Sequence, residues 1–122
     1  FGCLIITCFN YDYAKKLILL LPRQKHPYHF HKKKEETFQI LYGDLEAEID
    51  GDPLKLSNGD ICTVEVNKWH KFQTSKGVIF EEISTRHYND DSFYKDSKIV
   101  NIDRSERKTS LKNWENFFKK IS

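Results

Sequence analysis

Hydrophobic and polar positions alternate along most of this chain. Glu36-Thr37-Phe38-Gln39-Ile40-Leu41-Tyr42 sets Glu36, Phe38, Ile40 and Tyr42 on one face of an extended segment. Leu45, Ala47 and Ile49 share a face of the next, after a turn at Gly43-Asp44. Asp50-Gly51 is a tight-turn dipeptide, and Leu54 and Leu56 open the return strand. Asn58-Gly59 makes another turn before Ile61 to Val66, a run rich in β-branched residues. Lys16 to Leu21 is a strand-length apolar run stopped by Pro22, and Tyr28 to His31 is extended behind Pro27. His70 to Thr74 and Val78 to Thr85 flank a turn at Ser75-Lys76-Gly77. Short strands at near-regular spacing with glycine at the corners predict an all-β sandwich or barrel.

The end of the chain changes period. Leu111, Trp114, Phe117, Phe118 and Ile121 recur at helical spacing, with Ser110 placed to cap and Lys119-Lys120 near the C-terminus. An amphipathic helix over about 110–121 is expected, packed on the barrel or on a partner subunit. The barrel core spans about 16–85 and a polar surface segment 86–109, within one domain, 1–122. Leu17/Leu19/Leu21 and the apolar stripe of the helix offer more hydrophobic surface than one core needs, so a homodimer is expected.

Composition narrows the function classes. Of 122 residues 39% are hydrophobic, too many for a disordered tail. A net charge of +2, with both signs mixed throughout, gives no reason to expect nucleic acid or a membrane surface as partner. The longest apolar runs fall far short of the ~20 residues a bilayer span needs. The start, Phe1-Gly2-Cys3, has no basic stretch ahead of its apolar residues, so no secretory leader is expected. Its lack of a Met is as expected for a trimmed start or a piece of a longer polypeptide. Three cysteines, Cys3, Cys8 and Cys62, are an odd count without a CxxC pair, which points to a reducing, cytoplasmic setting.

One stretch carries chemistry. His29 and His31, at i and i+2 on a strand, project from the same face, and Glu36 opens the next strand after a short lysine loop. An antiparallel return can bring that carboxylate beside the two imidazoles. His70, eleven places after Gly59, adds a third imidazole from a separate strand. Three histidines and one carboxylate suit one divalent transition metal ion such as Mn, Zn, Fe or Ni, with positions left open for water or substrate. Two histidines on an exposed strand are common by themselves; the whole spacing raises metal binding above that reading. Lys32, Lys33 and Lys34 read as a solvated charge run, Tyr42 as core packing, Trp69 as rim packing and Cys62 as a small buried hydrophobe. His26 and His87 read as surface residues.

The spacing His-x-His, four residues, Glu36, six residues, Gly43, then Gly59 and His70, resembles the two motifs of the cupin superfamily. The first motif's leading Gly is replaced by Arg23. In the second, Glu65 stands for Pro, Asn67 for Gly and Thr74 for Asn, departures that bear on loop shape rather than on the ligand positions. Asn67 is able to take the left-handed conformation at modest cost. The resemblance implies a small double-stranded β-helix (cupin, jelly-roll) barrel holding a metal on His29, His31, Glu36 and His70. More narrowly, Lys25 to Phe38 with Phe80 to Thr85, His87-Tyr88 and Asp91 to Tyr94 is similar to D-lyxose ketol-isomerase-like cupins. It is similar also to the C-terminal cupin domain of N-acetylneuraminate (sialic acid) synthase-family proteins.

The isomerase resemblance implies an open-chain sugar or sugar acid chelating the ion through a carbonyl and neighbouring hydroxyl, with the metal stabilising an enediolate. A carboxylate would carry the proton between C1 and C2, and Glu82 is the candidate. Strand parity leaves this open, because the face of Ile79, Glu81 and Ile83 is as apolar as that of Val78, Phe80, Glu82 and Ser84. The second function class is a non-catalytic sugar-binding or accessory domain of a sialic acid synthase-type protein. An Fe(II) dioxygenase also fits the ligand set, but nothing in the sequence selects it.

Overall fold

The computed structural model describes residues 3–95 and 109–110. Among the described residues eleven strands form two sheets. They are β1 (Leu4–Asn10), β2 (Tyr13–Leu20), β3 (Lys25–Phe30), β4 (Glu36–Gly43), β5 (Leu45–Ile49) and β6 (Asp52–Leu56). β7 (Ile61–Val64), β8 (His70–Gln73), β9 (Val78–Thr85), β10 (Phe93–Tyr94) and β11 (Thr109–Ser110) follow. The larger sheet runs β11-β1-β2-β9-β4-β7 and the smaller β10-β3-β8-β5-β6. Every pairing is antiparallel except β1 with β11, which is parallel.

The alternation that predicts the strands also fills the space between the sheets. Ile18 and Leu20 from β2, Phe38 and Ile40 from β4, Val78 and Phe80 from β9 meet Leu45, Ala47 and Phe72 from the smaller sheet. Rings of Phe38, Phe72 and Phe80 pack edge to face or tilted at 4.8–5.8 Å between centroids. Along each of four strands the inward positions then pass from apolar to polar towards the same end of the barrel. Leu20 and Ile18 give way to Lys16, Val78 and Phe80 to Glu82 and Ser84, Ile40 and Phe38 to Glu36, and Phe72 to His70. One end of the interior is therefore a hydrocarbon core and the other a polar chamber.

Several expectations change. The sheet begins at β1, and β10 pairs with β3 beyond residue 85, so the polar segment after the core rejoins the barrel instead of only crossing its surface. The predicted C-terminal helix lies outside the described residues, apart from Ser110, which is in strand β11 and not a helix cap. A bulge between Ile40 and Tyr42 breaks the period-two pattern of β4, so Tyr42 turns outward and is 69% exposed. Leu17 and Leu19 lie on the outer side of β2, while Ile18 and Leu20 are buried. No helix among the described residues is long and apolar enough to cross a membrane.

Turn geometry follows the sequence closely at four positions. Gly43 and Gly59 adopt φ of 94° and 86°. Asn67, where the cupin pattern has Gly, sits at φ 63°, the left-handed region in which Asn is tolerated. Arg23, in place of the leading Gly, also takes a positive φ, 70°. The backbone shape of both motifs is therefore kept where the glycine itself is not.

Candidate metal centre

The imidazoles come from one wall of the chamber. His29 on β3 and His70 on β8 are direct cross-strand partners, and His31 follows two residues after His29. All three are buried, and one ring nitrogen from each lies within 4.8 Å of the others. Each Nδ1 contacts a main-chain carbonyl: His29 on Pro27 at 2.8 Å, His31 on Asp91 at 2.7 Å, His70 on Lys68 at 2.9 Å. A carbonyl oxygen only accepts, so each Nδ1 carries a proton, and in the neutral ring Nε2 is the nitrogen with the lone pair. That is how a protein presents imidazole to a metal, the outer hydrogen bond fixing the tautomer and the ring angle.

The opposite wall carries charge. Glu36 at the head of β4 approaches two of the histidines, Oε1 lying 2.7 Å from His31 Nε2 and Oε2 3.7 Å from His70 Nε2. Despite this proximity the Nε2 atoms of both histidines are buried without a hydrogen-bond partner. A lone pair and a carboxylate oxygen so close repel one another unless a cation, either a proton or a metal ion, lies between them. The donor set fits a divalent metal ion: three imidazoles converge beside a carboxylate, and Nε2 of His31 and of His70 is buried without a hydrogen-bond partner.

Behind Glu36 lies a charged network that sequence reasoning placed in solvent. Lys34 is 3% exposed, and its Nζ sits 2.9 Å from Glu36 Oε1 and 3.7 Å from Glu82 Oε2. Nζ also donates to His87 Nδ1 at 3.1 Å, so His87 supports this network instead of lying on the open surface. Lys16, 6% exposed, faces the same chamber from β2, beside its cross-strand partner Glu82. The parity question on β9 is resolved by burial. Glu82 points inward, whereas Glu81 faces outward to Lys15 at 3.8 Å. Inward parity with Ile18 and Leu20 is the signal that marks Lys16. Lys34 has none, because alternation is undefined in the loop that carries it.

Asp91 ties the loop down. Its buried carboxylate accepts from the backbone N–H groups of Lys32, Lys33 and Lys34 at 2.9–3.2 Å, while its carbonyl accepts from His31. One residue sixty positions away thus orients both His31 and the chain that carries Lys34. No local pattern around Asp91 announces this role. His26 lines the chamber as well, its ring 4.4 Å from that of His29. Trp69 packs edge-on against Tyr28 and Phe30 on the outer side of the smaller sheet, and Cys62 is buried in β7.

Burial and charge act differently on the titratable groups. Burial would raise Glu36, but the Lys34 ammonium and His31 hold it well below its ordinary 4.5. Burial raises Glu82, and the neighbouring Glu36 carboxylate adds to the rise against the opposing pull of Lys34 and Lys16. Burial lowers Lys34, yet Glu36 and Glu82 more than compensate and raise it. Burial lowers His29 well below 6.5 with help from the neighbouring histidines, and lowers His70 against the pull of Glu36. Neutral imidazoles are the form that binds metal. The chamber's free volume is about 30 Å³, room for roughly two waters.

Comparison with known proteins agrees with this geometry. No protein of curated function matches the sequence. Among solved structures the fold is similar to an uncharacterised conserved protein with a double-stranded β-helix domain from Klebsiella pneumoniae (TM-score 0.68, 18% identity, 76% of this chain and 79% of that one). It is similar also to KdgF from Halomonas sp. (0.66, 15%, 70% and 80%). A third similar structure is a sugar phosphate isomerase of the cupin superfamily from Silicibacter pomeroyi (0.62, 21%, 70%), of which the chain covers 58%. At these identities the likeness is one of fold. The sequence profile of the Cupin domain matches residues 16–80, more than half of the chain. With two facing sheets, motif turns intact and three converging histidines, the chain belongs to the cupin family.

Proposed function

We propose that this cupin binds one divalent transition metal ion on His29, His31, His70 and Glu36 and acts on a small sugar by aldose–ketose isomerisation. The observation that carries the reading is the second interior carboxyl. Glu82 faces the same chamber as the three Nε2 lone pairs, with a buried oxygen that has no hydrogen-bond partner. A bound ion would polarise the carbonyl and adjacent hydroxyl of an open-chain substrate. Glu82, as carboxylate, accepts the proton from one carbon and returns it to its neighbour. Lys34 keeps Glu36 ionised for ligation, and the apolar residues Ile18, Leu20 and Phe80 limit water at the reacting carbons. The sugar phosphate isomerases among the structural neighbours support a sugar ligand at the level of fold.

The small chamber volume favours a second reading, a non-catalytic accessory domain of the sialic acid synthase type that holds a metal without turnover. Incubating metal-loaded protein with pentoses and hexoses in deuterated water separates the two. Exchange at C1 or C2 that Glu82→Gln reduces by about 10²- to 10⁴-fold supports isomerisation. Sugar binding without exchange at any sugar establishes the accessory reading instead. A cytoplasmic location accords with Cys8 and Cys62 being free thiols. We also infer a homodimer, because Leu41, Ile61, Ile79 and Ile83 are exposed hydrophobics on the larger sheet. Monomer alone in sedimentation equilibrium at micromolar concentration would reject it.

A further inference from the structure

We propose that Asp91 is a positioning residue of the metal centre, and that ion affinity depends on the seating of residues 87–94 against the segment His29 to Lys34. The inference rests on the metal reading above. Every residue from His29 to Lys34 meets residues 87–94. Tyr94 and Phe93 on β10 pair with His29 and Phe30 on β3, and His87 Nδ1 lies 3.1 Å from Lys34 Nζ. Between these contacts stands Asp91, 2% exposed. Its Oδ1 accepts from the N–H of Lys32 at 2.9 Å and of Lys33 at 3.1 Å. Its Oδ2 accepts from Lys33 at 3.2 Å and Lys34 at 3.1 Å, and its carbonyl accepts from His31 Nδ1–H at 2.7 Å.

Side chain and main chain of Asp91 have separate tasks. The carbonyl sets the angle of the His31 ring, and an imidazole has to be aimed, as well as near, for Nε2 to reach a shared ion. The carboxylate fixes where that carbonyl stands, because it is bonded to the three successive amides that follow His31 in the chain. His29 and His70 are aimed locally, each by the carbonyl two residues before it. His31 instead relies on a carbonyl sixty residues away. Loosening Asp91 therefore misaims one ligand and leaves the other two in place. By reciprocity, an ion held on His31 favours the seated segment.

Zinc affinity is measured on the full chain by competition with a chromophoric chelator, under conditions where circular dichroism shows each variant folded. Asp91→Ala removes every side-chain bond and should weaken zinc about tenfold or more. Asp91→Asn keeps one carboxylate oxygen's place as an acceptor and should lose less. Gly59→Ala, at a turn that does not line the chamber, reports a general loss of stability and should bind zinc as the parent does. Amide hydrogen exchange reads the clamp by itself: in metal-free Asp91→Ala it should quicken at Lys32, Lys33 and Lys34, and in the parent zinc should slow it there. Should Asp91→Ala fail to fold, Asp91→Asn carries the same expectation, read as weaker zinc binding and as displaced d–d bands when cobalt(II) is bound. Parent-like affinity in the folded Asp91 variants, or an equal loss in Gly59→Ala, would overturn the proposal while the metal site stands. Absence of zinc binding by the parent would overturn the metal reading and this inference with it.

Discussion

Glu36 and Glu82 lie on adjacent strands of one sheet and face the same chamber, yet their surroundings drive their protons in opposite directions. Glu36 is held ionised beside Lys34, the form the proposed ligation needs, whereas burial makes Glu82 a readier proton acceptor. The acid limb of any exchange reaction should therefore lie above 4.5, the ordinary value for a glutamate. Below the raised value Glu82 is protonated and cannot act as base, so activity should rise with pH through it. A pH profile of C1 or C2 exchange with a limb at or below 4.5 would remove Glu82 from that role. The residues differ in how far the sequence reveals them. His29, His31, Glu36 and His70 stand in fixed spacing on strands or at their ends, so their convergence is readable. Lys34 and Asp91 depend on how a loop folds back on a distant segment, which alternation does not encode.

At the scale of elements, motif glycines separate into two physical kinds. Gly43 has φ 94°, and a Cβ there would meet the carbonyl of Gly77 at the start of the β9 hairpin arm. Gly59 has a similar φ, 86°, but open space around the missing Cβ. Alanine at Gly59 should cost only backbone strain, about 1 kcal/mol. Alanine at Gly43 adds a backbone collision and should cost about 3 kcal/mol or more. Urea denaturation of the two variants checks the order, and equal losses would mean that the β4–β9 junction relaxes around the new methyl. The same positions explain why strand order was largely legible and strand faces were not always. Turn residues and β-branched runs mark where strands stop, whereas the bulge at Ile40–Tyr42 reverses facing without any Gly or Pro within it. Two alternating apolar faces on β2 and β9 left burial to be decided by the second sheet.

For the whole molecule, dividing the interior into a hydrocarbon end and a polar end makes stability depend on pH and metal together. His29 and His70 have folded values below 6.5, so between those values and 6.5 the unfolded chain binds more protons and stability falls as pH falls. Glu36, depressed below 4.5, adds a further loss as pH falls through its folded value. Glu82 works the other way: its stabilising contribution is full below 4.5 and is lost as pH rises through its raised folded value. Between pH 7 and 5 two histidines oppose Glu82 alone, so the urea midpoint is expected to fall over that interval. His29→Asn with His70→Asn should flatten the fall, because neither replacement titrates. Metal acts on the same nitrogens. At a hundred times its dissociation constant, a divalent ion that binds only the folded state adds about 2.7 kcal/mol. Because protons compete for Nε2, the gain at a fixed metal concentration should be smaller at pH 5 than at pH 7. Thermal unfolding with and without nickel or zinc at both pH values measures it. A gain that is equal at the two pH values, or that survives in the double Asn variant, would place the ion somewhere other than on these imidazoles.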